Sequence, residues 1–216
     1  MGFRSPGNQE WNRNRKACAH GYVRPMDTET RIVVFGSSQP GPGTSLYEEA
    51  RAVGSALARE GWTVITGGYG GVMEAASRGA KEAGGTVIGV TTEFFSGRFP
   101  KANPYVDREV RMPSYGERLL ELLRLGDGYV VMTGGSGTLA ELFLAWELVK
   151  NKSLPERPIV LCGAQWRRIM DVLGRELSEE LSFSSHLHIL QFAETPEETV
   201  RLMRAAFSDP RGKPCT

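Results

Sequence analysis

Short apolar runs alternate with segments of helical periodicity along most of this chain, and that alternation limits the possible folds more than any other feature. The apolar runs predict strands at 31–35, 62–65, 86–90, 128–132, 158–161 and 186–190. The periodic segments predict helices at 45–60, 71–83, 114–125, 137–150, 166–177 and 196–207. Strands that are apolar throughout are typical of a parallel sheet covered by helices on both faces. We therefore expect one α/β domain built on a doubly wound parallel sheet.

The predicted α/β domain covers residues 30–208 and leaves a segment at each end. Residues 1–29 contain Gly, Pro and Asn together with a cluster of basic residues, and they show no apolar periodicity. We interpret them as a mobile arm, with a functional basic tail as the alternative. Residues 209–216 are expected to form a C-terminal tail.

Charge and composition exclude several kinds of partner. The 216 residues carry a formal net charge of +1, so no basic field attracts nucleic acid or an acidic membrane surface. No segment reaches the length of a membrane span, and the N-terminal region lacks the apolar run of a secretory signal. The three cysteines, Cys18, Cys162 and Cys215, are too dispersed for a disulfide framework or a zinc site, so we expect a reducing cytoplasm.

The segment Gly134-Gly135-Ser136-Gly137-Thr138 joins a predicted buried strand to a predicted helix. Glycines let backbone N–H groups approach an anion closely, and a helix N-terminus adds partial positive charge. The segment is therefore predicted to hold a phosphate, with the Glu141 carboxylate one turn into the helix beside it. An alternative stays open, because Thr138-x-x-Glu141 is also the pattern of a capping box, which needs no ligand.

Two further glycine loops fall on the same edge of the predicted sheet. Gly36-Ser37-Ser38 follows the first strand, and Gly67-Gly68-Tyr69-Gly70-Gly71 follows the second. Ligands of such sheets bind beyond the carboxyl ends of the strands. The helix predicted from residue 114 precedes a strand and so begins at this edge, which places Arg118 within reach of Glu141. The alternative is that Arg118 is an ordinary exposed helix arginine.

Motifs for several other chemistries are missing. No Gly-x-x-x-x-Gly-Lys-Ser/Thr loop occurs, and the turn Gly-Ser-Ser-Gln-Pro-Gly does not fit the dinucleotide fingerprint Gly-x-Gly-x-x-Gly. Ser37 and Ser38 have no evident histidine partner for nucleophilic catalysis. His186 and His188 alternate on a predicted strand without a cluster of Cys or Asp, so we expect neither a metal nor a bound cofactor.

Together these loops and side chains resemble the LONELY GUY (LOG) family of cytokinin riboside 5′-monophosphate phosphoribohydrolases. The resemblance extends from about Arg31 to the late helices. It is carried by Gly36-Ser37-Ser38, Tyr47, Gly67-Gly68-Tyr69-Gly70-Gly71-Val72-Met73, Glu117-Arg118 and Gly134-Gly135-x-Gly137-Thr138-x-x-Glu141.

The resemblance implies a Rossmann-like fold and a homodimer or larger homo-oligomer with each active site near the subunit interface. It implies hydrolysis of the N-glycosidic bond of a nucleoside 5′-monophosphate, giving a free base and ribose 5-phosphate. Arg118 and Glu141 match the essential residues of the family. The expected substrate-binding residues are Gly36, Ser37, Ser38, Gly67, Gly68, Met73, Gly134, Gly135, Ser136, Gly137 and Thr138.

Glycosidic cleavage passes through a state with positive charge on the sugar, which a carboxylate can stabilise. We therefore expect Glu141 to stabilise that charge and to orient or deprotonate water. Arg118 is expected to orient Glu141 or to contact the substrate. Glu74 and Glu117 are candidates for base or ribose contacts, with a structural role as the alternative. The segment 92–109 shows no clear period, and we interpret it as a wall or lid of the site.

The chain departs from the family pattern where Thr133, Leu119, Ala140 and Glu74 replace the usual proline, lysine, glutamate and helix glycine. The run that begins at Gly71, with the sequence Gly-Val-Met-Glu-Ala-Ala, is also similar to molybdenum-cofactor carrier proteins. A non-catalytic carrier of a nucleotide or of that cofactor is therefore the alternative function.

Overall fold

Seven parallel strands form one sheet in the computed structural model, which describes residues 29–97, 101–181 and 184–208. The strand order is β4-β3-β2-β1-β5-β6-β7. The strands are β1 (Arg31–Phe35), β2 (Thr63–Thr66), β3 (Val87–Thr92), β4 (Arg108–Met112), β5 (Gly128–Val131), β6 (Ile159–Cys162) and β7 (Leu190–Ala193). The predicted doubly wound sheet is confirmed. Because the order of the strands reverses at β1, a crevice opens beyond the carboxyl ends of β1 and its neighbours.

Helices cover both faces of this sheet, as the fully apolar strands predict. Their bounds are α1 (Ser45–Arg59), α2 (Val72–Glu82), α3 (Tyr115–Leu125), α4 (Ser136–Lys150), α5 (Gln165–Leu181) and α6 (Pro196–Ser208). Helices α1, α2 and α6 pack on one face, and α3, α4 and α5 pack on the other. Each face holds its own apolar cluster, so the α/β layers form a single domain with the sheet between two cores.

Helix starts near the crevice are of two kinds. Thr44 and Ser114 cap α1 and α3, since each side chain accepts an N–H from the first turn. Helices α2 and α4 instead begin at Gly71 and Gly135, with no side-chain cap. The two helices without a side-chain cap are thus the ones that follow the predicted glycine loops.

The strand predicted at 186–190 is wrong. Residues Ser184–Ile189 form a 3-10 helix, and β7 begins at Leu190, which is in register with Ile159 of β6. The alternating pattern arises because Leu187 and Ile189 pack on the core from the 3-10 turn. His186 and His188 therefore do not alternate on a strand.

The segment 92–109 contains more regular structure than its sequence indicates. A 3-10 turn covers Glu93–Phe95, and β4 begins at Arg108 as the edge strand next to β3. Its exposed charged residues hide the strand pattern, because an edge strand with one face in water needs few apolar residues. Residues 98–100 lie outside the described part, so the interpretation of this segment as a wall or lid remains a prediction.

Most of the predicted arm at 1–29 and the whole predicted tail at 209–216 lie outside the described residues. Glu29, the first described residue, accepts a hydrogen bond from the Thr63 hydroxyl at the start of β2. Among the helices described, none has the length and apolar character that a membrane span requires.

Candidate active site

The three predicted glycine loops meet at the carboxyl ends of β1, β2 and β5, and the backbone of Ser37 joins them. Its N–H donates to the Thr133 carbonyl at 3.0 Å, and its carbonyl accepts the Val72 N–H at 2.8 Å. Its hydroxyl accepts the N–H of Gln39. The predicted convergence of the loops is therefore confirmed, and Ser37 contributes to it chiefly through its main chain.

Several of the predicted binding glycines owe their identity to packing between these loops. A Cβ on Gly36 would lie 2.5 Å from Val72 Cγ1, and one on Gly134 would lie 2.0 Å from Thr138 Oγ1. Gly71 has a φ of +71°, and a Cβ there would lie 2.3 Å from the Ser37 carbonyl oxygen. Any side chain at these positions would push the loops apart.

The glycines after β2 make room for the site's arginine and for β3. A Cβ on Gly67 would lie 1.8 Å from Arg118 Nη2 and 2.5 Å from Met73 Sδ. A Cβ on Gly68 would lie 2.8 Å from Thr91 Cγ2. The guanidinium of Arg118 can therefore pass directly over the end of β2 only because residue 67 has no side chain.

Gly135 and Gly137 differ from these packing glycines, because open space lies above them. A Cβ on Gly135 would meet no heavy atom within 4 Å, and one on Gly137 would meet only the Tyr115 hydroxyl, at 3.6 Å. Both residues stand at the start of α4, where the first-turn N–H groups have no acceptor within the helix. The geometry thus leaves a positively polarised helix end open to an anion.

The capping-box alternative for this segment is wrong. Helix α4 begins at Ser136 with Gly135 as its N-cap, so Thr138 already lies inside the first turn. A capping box would need Thr138 itself at the N-cap. Glu141 consequently lies a full turn inside the helix, and its carboxylate is free for another role.

Arg118 is buried, with only 3% of its surface exposed, so its interpretation as an ordinary exposed helix residue is wrong. The first turn of α3 directs it under the loops, where its Nε donates to the Val90 carbonyl at 2.8 Å. Its Nη2 donates to the Gly67 carbonyl at 3.1 Å, and its guanidinium lies over the Tyr69 ring, 5.4 Å from the centroid. These contacts fix the orientation of the charge.

Glu141 is buried at the same place, with 8% of its surface exposed. Its Oε1 lies 3.9 Å from Arg118 Nη1, which is an ion pair without a direct hydrogen bond. Burial raises the pKa of Glu141 to about 7, and the positive charge of Arg118 only partly opposes that rise. The predicted meeting of Arg118 and Glu141 is confirmed, and it produces a carboxyl group that titrates near neutral pH.

Aromatic rings line the side of the cleft next to Arg118, and the sequence analysis assigned them no role. The Phe95 ring contacts those of Tyr69 and Tyr115 edge to face, with both centroids 5.8 Å away. Because the Tyr115 hydroxyl lies close to Gly137, this cluster continues to the start of α4. A position just before a predicted helix at this edge was the available signal for Tyr115.

The remaining predicted positions divide into structural and open ones. Glu117 accepts a hydrogen bond from the Ser114 hydroxyl at 2.7 Å, which supports its structural alternative as part of the α3 cap. Glu74 accepts one from the Tyr47 hydroxyl at 3.1 Å. Ala140, which replaces the second glutamate of the LOG pattern, is exposed. Its small side chain adds no charge beside Glu141.

Within residues 29–97, 101–181 and 184–208, no group of three or more His, Cys, Asp or Glu side chains is placed to hold a metal ion. Cys162 is buried at the end of β6, where burial raises the pKa of its thiol to about 11. The chemistry of the cleft therefore depends on one carboxyl group, one guanidinium and the end of a helix.

Known proteins with similar sequences or structures fall into two functional groups. A cytokinin riboside 5′-monophosphate phosphoribohydrolase of Rhodococcoides fascians is 32% identical over 138 residues, which cover 62% of this chain and 68% of that protein. A probable enzyme of the same name from Oryza sativa subsp. japonica is 29% identical over 189 residues, covering 81% of this chain and 70% of that protein.

The second group is represented by the molybdenum cofactor binding protein of Rippkaea orientalis. Its structure matches with a TM-score of 0.65 at 28% identity, and the match covers 83% of this chain and 98% of that one. The sequence profile of the SLOG cluster4 family matches residues 29–180. The resemblance to LOG proteins is thereby confirmed, and the chain belongs to the SLOG cluster4 family.

Proposed function

We propose that this protein hydrolyses the N-glycosidic bond of a nucleoside 5′-monophosphate, either AMP or a cytokinin nucleotide, to a free base and ribose 5-phosphate. The observation that carries the proposal is the buried Glu141 carboxyl group, whose pKa is raised to about 7 beside a fixed Arg118. A carboxyl group with no catalytic task gains nothing from such burial, since desolvation of its charge costs free energy.

The 5′-phosphate is proposed to bind at the N-terminus of α4. The N–H groups of residues 135–138 offer donors, and the open space at Gly135 and Gly137 lets phosphate oxygens reach them. Glu141 follows one turn later on the same helix. A phosphate held at the start of α4 therefore brings the sugar of the nucleotide towards the carboxyl group.

In the proposed reaction the bond between C1′ and the base nitrogen breaks, and the base leaves with the bonding electron pair. The ionised carboxylate of Glu141 stabilises the positive charge that develops on the sugar. A water molecule then adds its oxygen to C1′ and gives a proton to Glu141, while the base takes up a proton. A carboxyl pKa near 7 suits both accepting and releasing that proton at neutral pH.

Arg118 is proposed to position Glu141 more than to clamp the substrate. Its Nε and Nη2 are already occupied by the carbonyls of Val90 and Gly67, so the guanidinium cannot swing towards a ligand without losing both hydrogen bonds. Its Nη1 remains turned towards Glu141. The fixed positive charge favours the ionised carboxylate, which is the form that the reaction needs.

We further propose that the protein acts in the cytoplasm as a homodimer or larger homo-oligomer. Helix α4 carries more apolar residues than a single buried stripe requires, and Phe143, Leu144 and Leu148 remain only half-buried in one subunit. A second copy packed on this helix would cover them. It would also bring its surface close to the cleft, because Glu141 lies on the same helix.

A panel of nucleoside 5′-monophosphates tests the proposed function. The protein is incubated with each nucleotide, and free base is measured by chromatography. We expect base release from at least one nucleotide, and we expect Glu141→Gln to lower kcat by about 100- to 1,000-fold while binding survives. Glu147→Gln is the matched control, because Glu147 lies on the same helix but is exposed and paired with Lys150. Equal rates for the two variants would contradict the role of Glu141.

A carrier without catalysis is the second candidate. The similarity to the molybdenum cofactor binding protein of Rippkaea orientalis favours it, as do Leu119 and Ala140 in place of the lysine and glutamate of the LOG pattern. A carrier would bind nucleotide or cofactor tightly at the α4 terminus without releasing base. Binding without turnover across the whole panel would therefore replace the hydrolase proposal by the carrier.

A further inference from the structure

Glu74 lies in the first turn of α2, immediately after the methionine that contacts the site's arginine. The Met73 sulfur is 3.9 Å from Arg118 Nη2, so this turn borders the cleft directly. Glu74 itself is half-buried and occupies the position of the helix glycine in the LOG pattern. Its carboxylate is therefore a chemical group that this chain adds beside the cleft.

A buried tyrosine fixes one oxygen of that carboxylate. The Tyr47 hydroxyl donates to Glu74 Oε1 at 3.1 Å, and the Tyr47 ring is fully buried between α1 and the sheet. Burial raises the pKa of Tyr47 above its ordinary value, and the nearby charge of Glu74 adds to the rise. The hydroxyl therefore stays protonated and continues to donate, which holds the carboxylate in one orientation.

The second oxygen of Glu74 borders open space at Gly70. A Cβ on Gly70 would lie 3.9 Å from Glu74 Oε2 and 3.9 Å from the Ser38 carbonyl oxygen, with no nearer neighbour. An ionised carboxylate and a carbonyl can only accept hydrogen bonds. A ligand that enters between them must therefore supply donors, and hydroxyl groups fit that requirement.

We infer that Glu74, together with the Ser38 carbonyl, binds the ribose hydroxyls of the nucleotide and so selects ribonucleotides over 2′-deoxyribonucleotides. This inference rests on the proposed function for the presence of a nucleotide in the cleft. The phosphate belongs at the positive end of α4, and the negative charge of Glu74 repels it. The acceptor pair therefore serves the uncharged part of the ligand, and a carboxylate that binds ribose hydroxyls is a common device in α/β nucleotide sites.

Equilibrium dialysis of AMP, 2′-deoxy-AMP and IMP against the full chain tests this inference without requiring turnover. The unmutated protein is expected to bind AMP about 10- to 100-fold more tightly than 2′-deoxy-AMP, as a hydrogen bond to a charged group implies. Glu74→Ala is expected to weaken AMP until the two affinities agree within about threefold. Glu74→Gln, which keeps the shape and loses the charge, should have a smaller effect in the same direction.

Matched measurements distinguish binding of the ribose by Glu74 from binding of the base and from a general effect of losing a carboxylate on α2. Glu82→Ala removes a carboxylate from the last turn of the same helix, where it pairs with Arg51 and Arg78, and should leave the ratio of affinities unchanged. IMP lacks the amino group of AMP, so a change confined to the ratio of AMP to IMP would assign Glu74 to the base and overturn the inference.

The remaining outcomes also decide the question. Equal weakening of AMP and 2′-deoxy-AMP by Glu74→Ala would overturn the inference, and so would an unmutated protein that binds neither nucleotide. Failure of the proposed function has a different signature, because AMP would then bind with the expected preference for ribose while no base is released.

Discussion

Replacing Glu141 with glutamine should stabilise the protein at alkaline pH, which is opposite to the effect expected for the loss of a helix cap. Burial raises the pKa of this carboxyl group from an ordinary value of 4.5 to about 7 in the folded chain. The folded state therefore holds its proton more tightly than the unfolded state does. Glutamine has nearly the same shape but stays neutral at every pH, so the variant lacks this linkage.

The sign and size of the effect follow from the two pKa values. The stability that protonated Glu141 contributes is complete below about pH 4.5, is lost as the pH rises towards 7, and changes little above that. The full loss is about 3.4 kcal/mol, from a difference of about 2.5 between the two pKa values at 1.36 kcal/mol each. Between pH 5 and pH 8.5 the free energy of unfolding of Glu141→Gln should rise by about 2.5 kcal/mol relative to that of the unmutated protein.

Urea unfolding of both proteins at pH 5 and pH 8.5 measures this difference, and taking the difference cancels the titration of all other groups. Glu147→Gln is the control, because the pairing of Glu147 with Lys150 lowers the pKa of that carboxyl group. It should show no gain in stability at alkaline pH. A Glu141→Gln variant that is about 1 kcal/mol less stable at both pH values would refute the reasoning, since that is the behaviour of a helix cap.

Four further outcomes are expected. The logarithm of kcat/KM should rise with a slope of one up to about pH 7 and then level off, because the ionised form of Glu141 is the reactive one; a flat profile from pH 5 to 8 would contradict this. Gly135→Val should lower nucleotide affinity at least about tenfold with little change in melting temperature, since a side chain there meets only open space; unchanged affinity would place the phosphate elsewhere. Gly67→Ala should lower kcat by about 10- to 100-fold, because a Cβ would lie 1.8 Å from Arg118 Nη2 and displace the guanidinium; an unchanged kcat would remove Arg118 from the proposed reaction. Light scattering at micromolar concentration should give at least the mass of a dimer, and a monomer mass would contradict the proposed assembly.

The sequence predicts the centre of the fold and the meeting of the site's charged groups well, because both follow from topology. Apolar runs such as 128–132 belong to strands covered on both faces, and parallel strands bring the loops that follow them to one edge. Arg118 and Glu141 are far apart in the chain, yet the direction of α3 and the position of α4 already imply that they approach each other. Their burial, and hence the pKa of Glu141, depends on packing that no local pattern contains.

The sequence fails where an element's environment decides its form. Strand β4 was not predicted, because an edge strand exposed to water carries charged residues such as Arg108 and Glu109 instead of an apolar run. The glycines are a second example. Gly134 and Gly135 are neighbours of identical chemistry, yet one is packed against Thr138 and the other borders open space. Only tertiary contacts distinguish a glycine that lets loops pack from one that leaves room for a ligand.

The junction at Ser37 has a consequence for how the cleft forms during folding. Its backbone pairs with Thr133 and Val72, so the central strand is tied to two segments that lie far away along the chain. Loop-closure entropy must be overcome before such distant pairings form, and contacts of this kind are gained late. The binding surface therefore arises together with the cooperative native state, and no isolated stretch of the chain contains it. A nucleotide that binds there would recognise only the completed fold and would shift the folding equilibrium towards it.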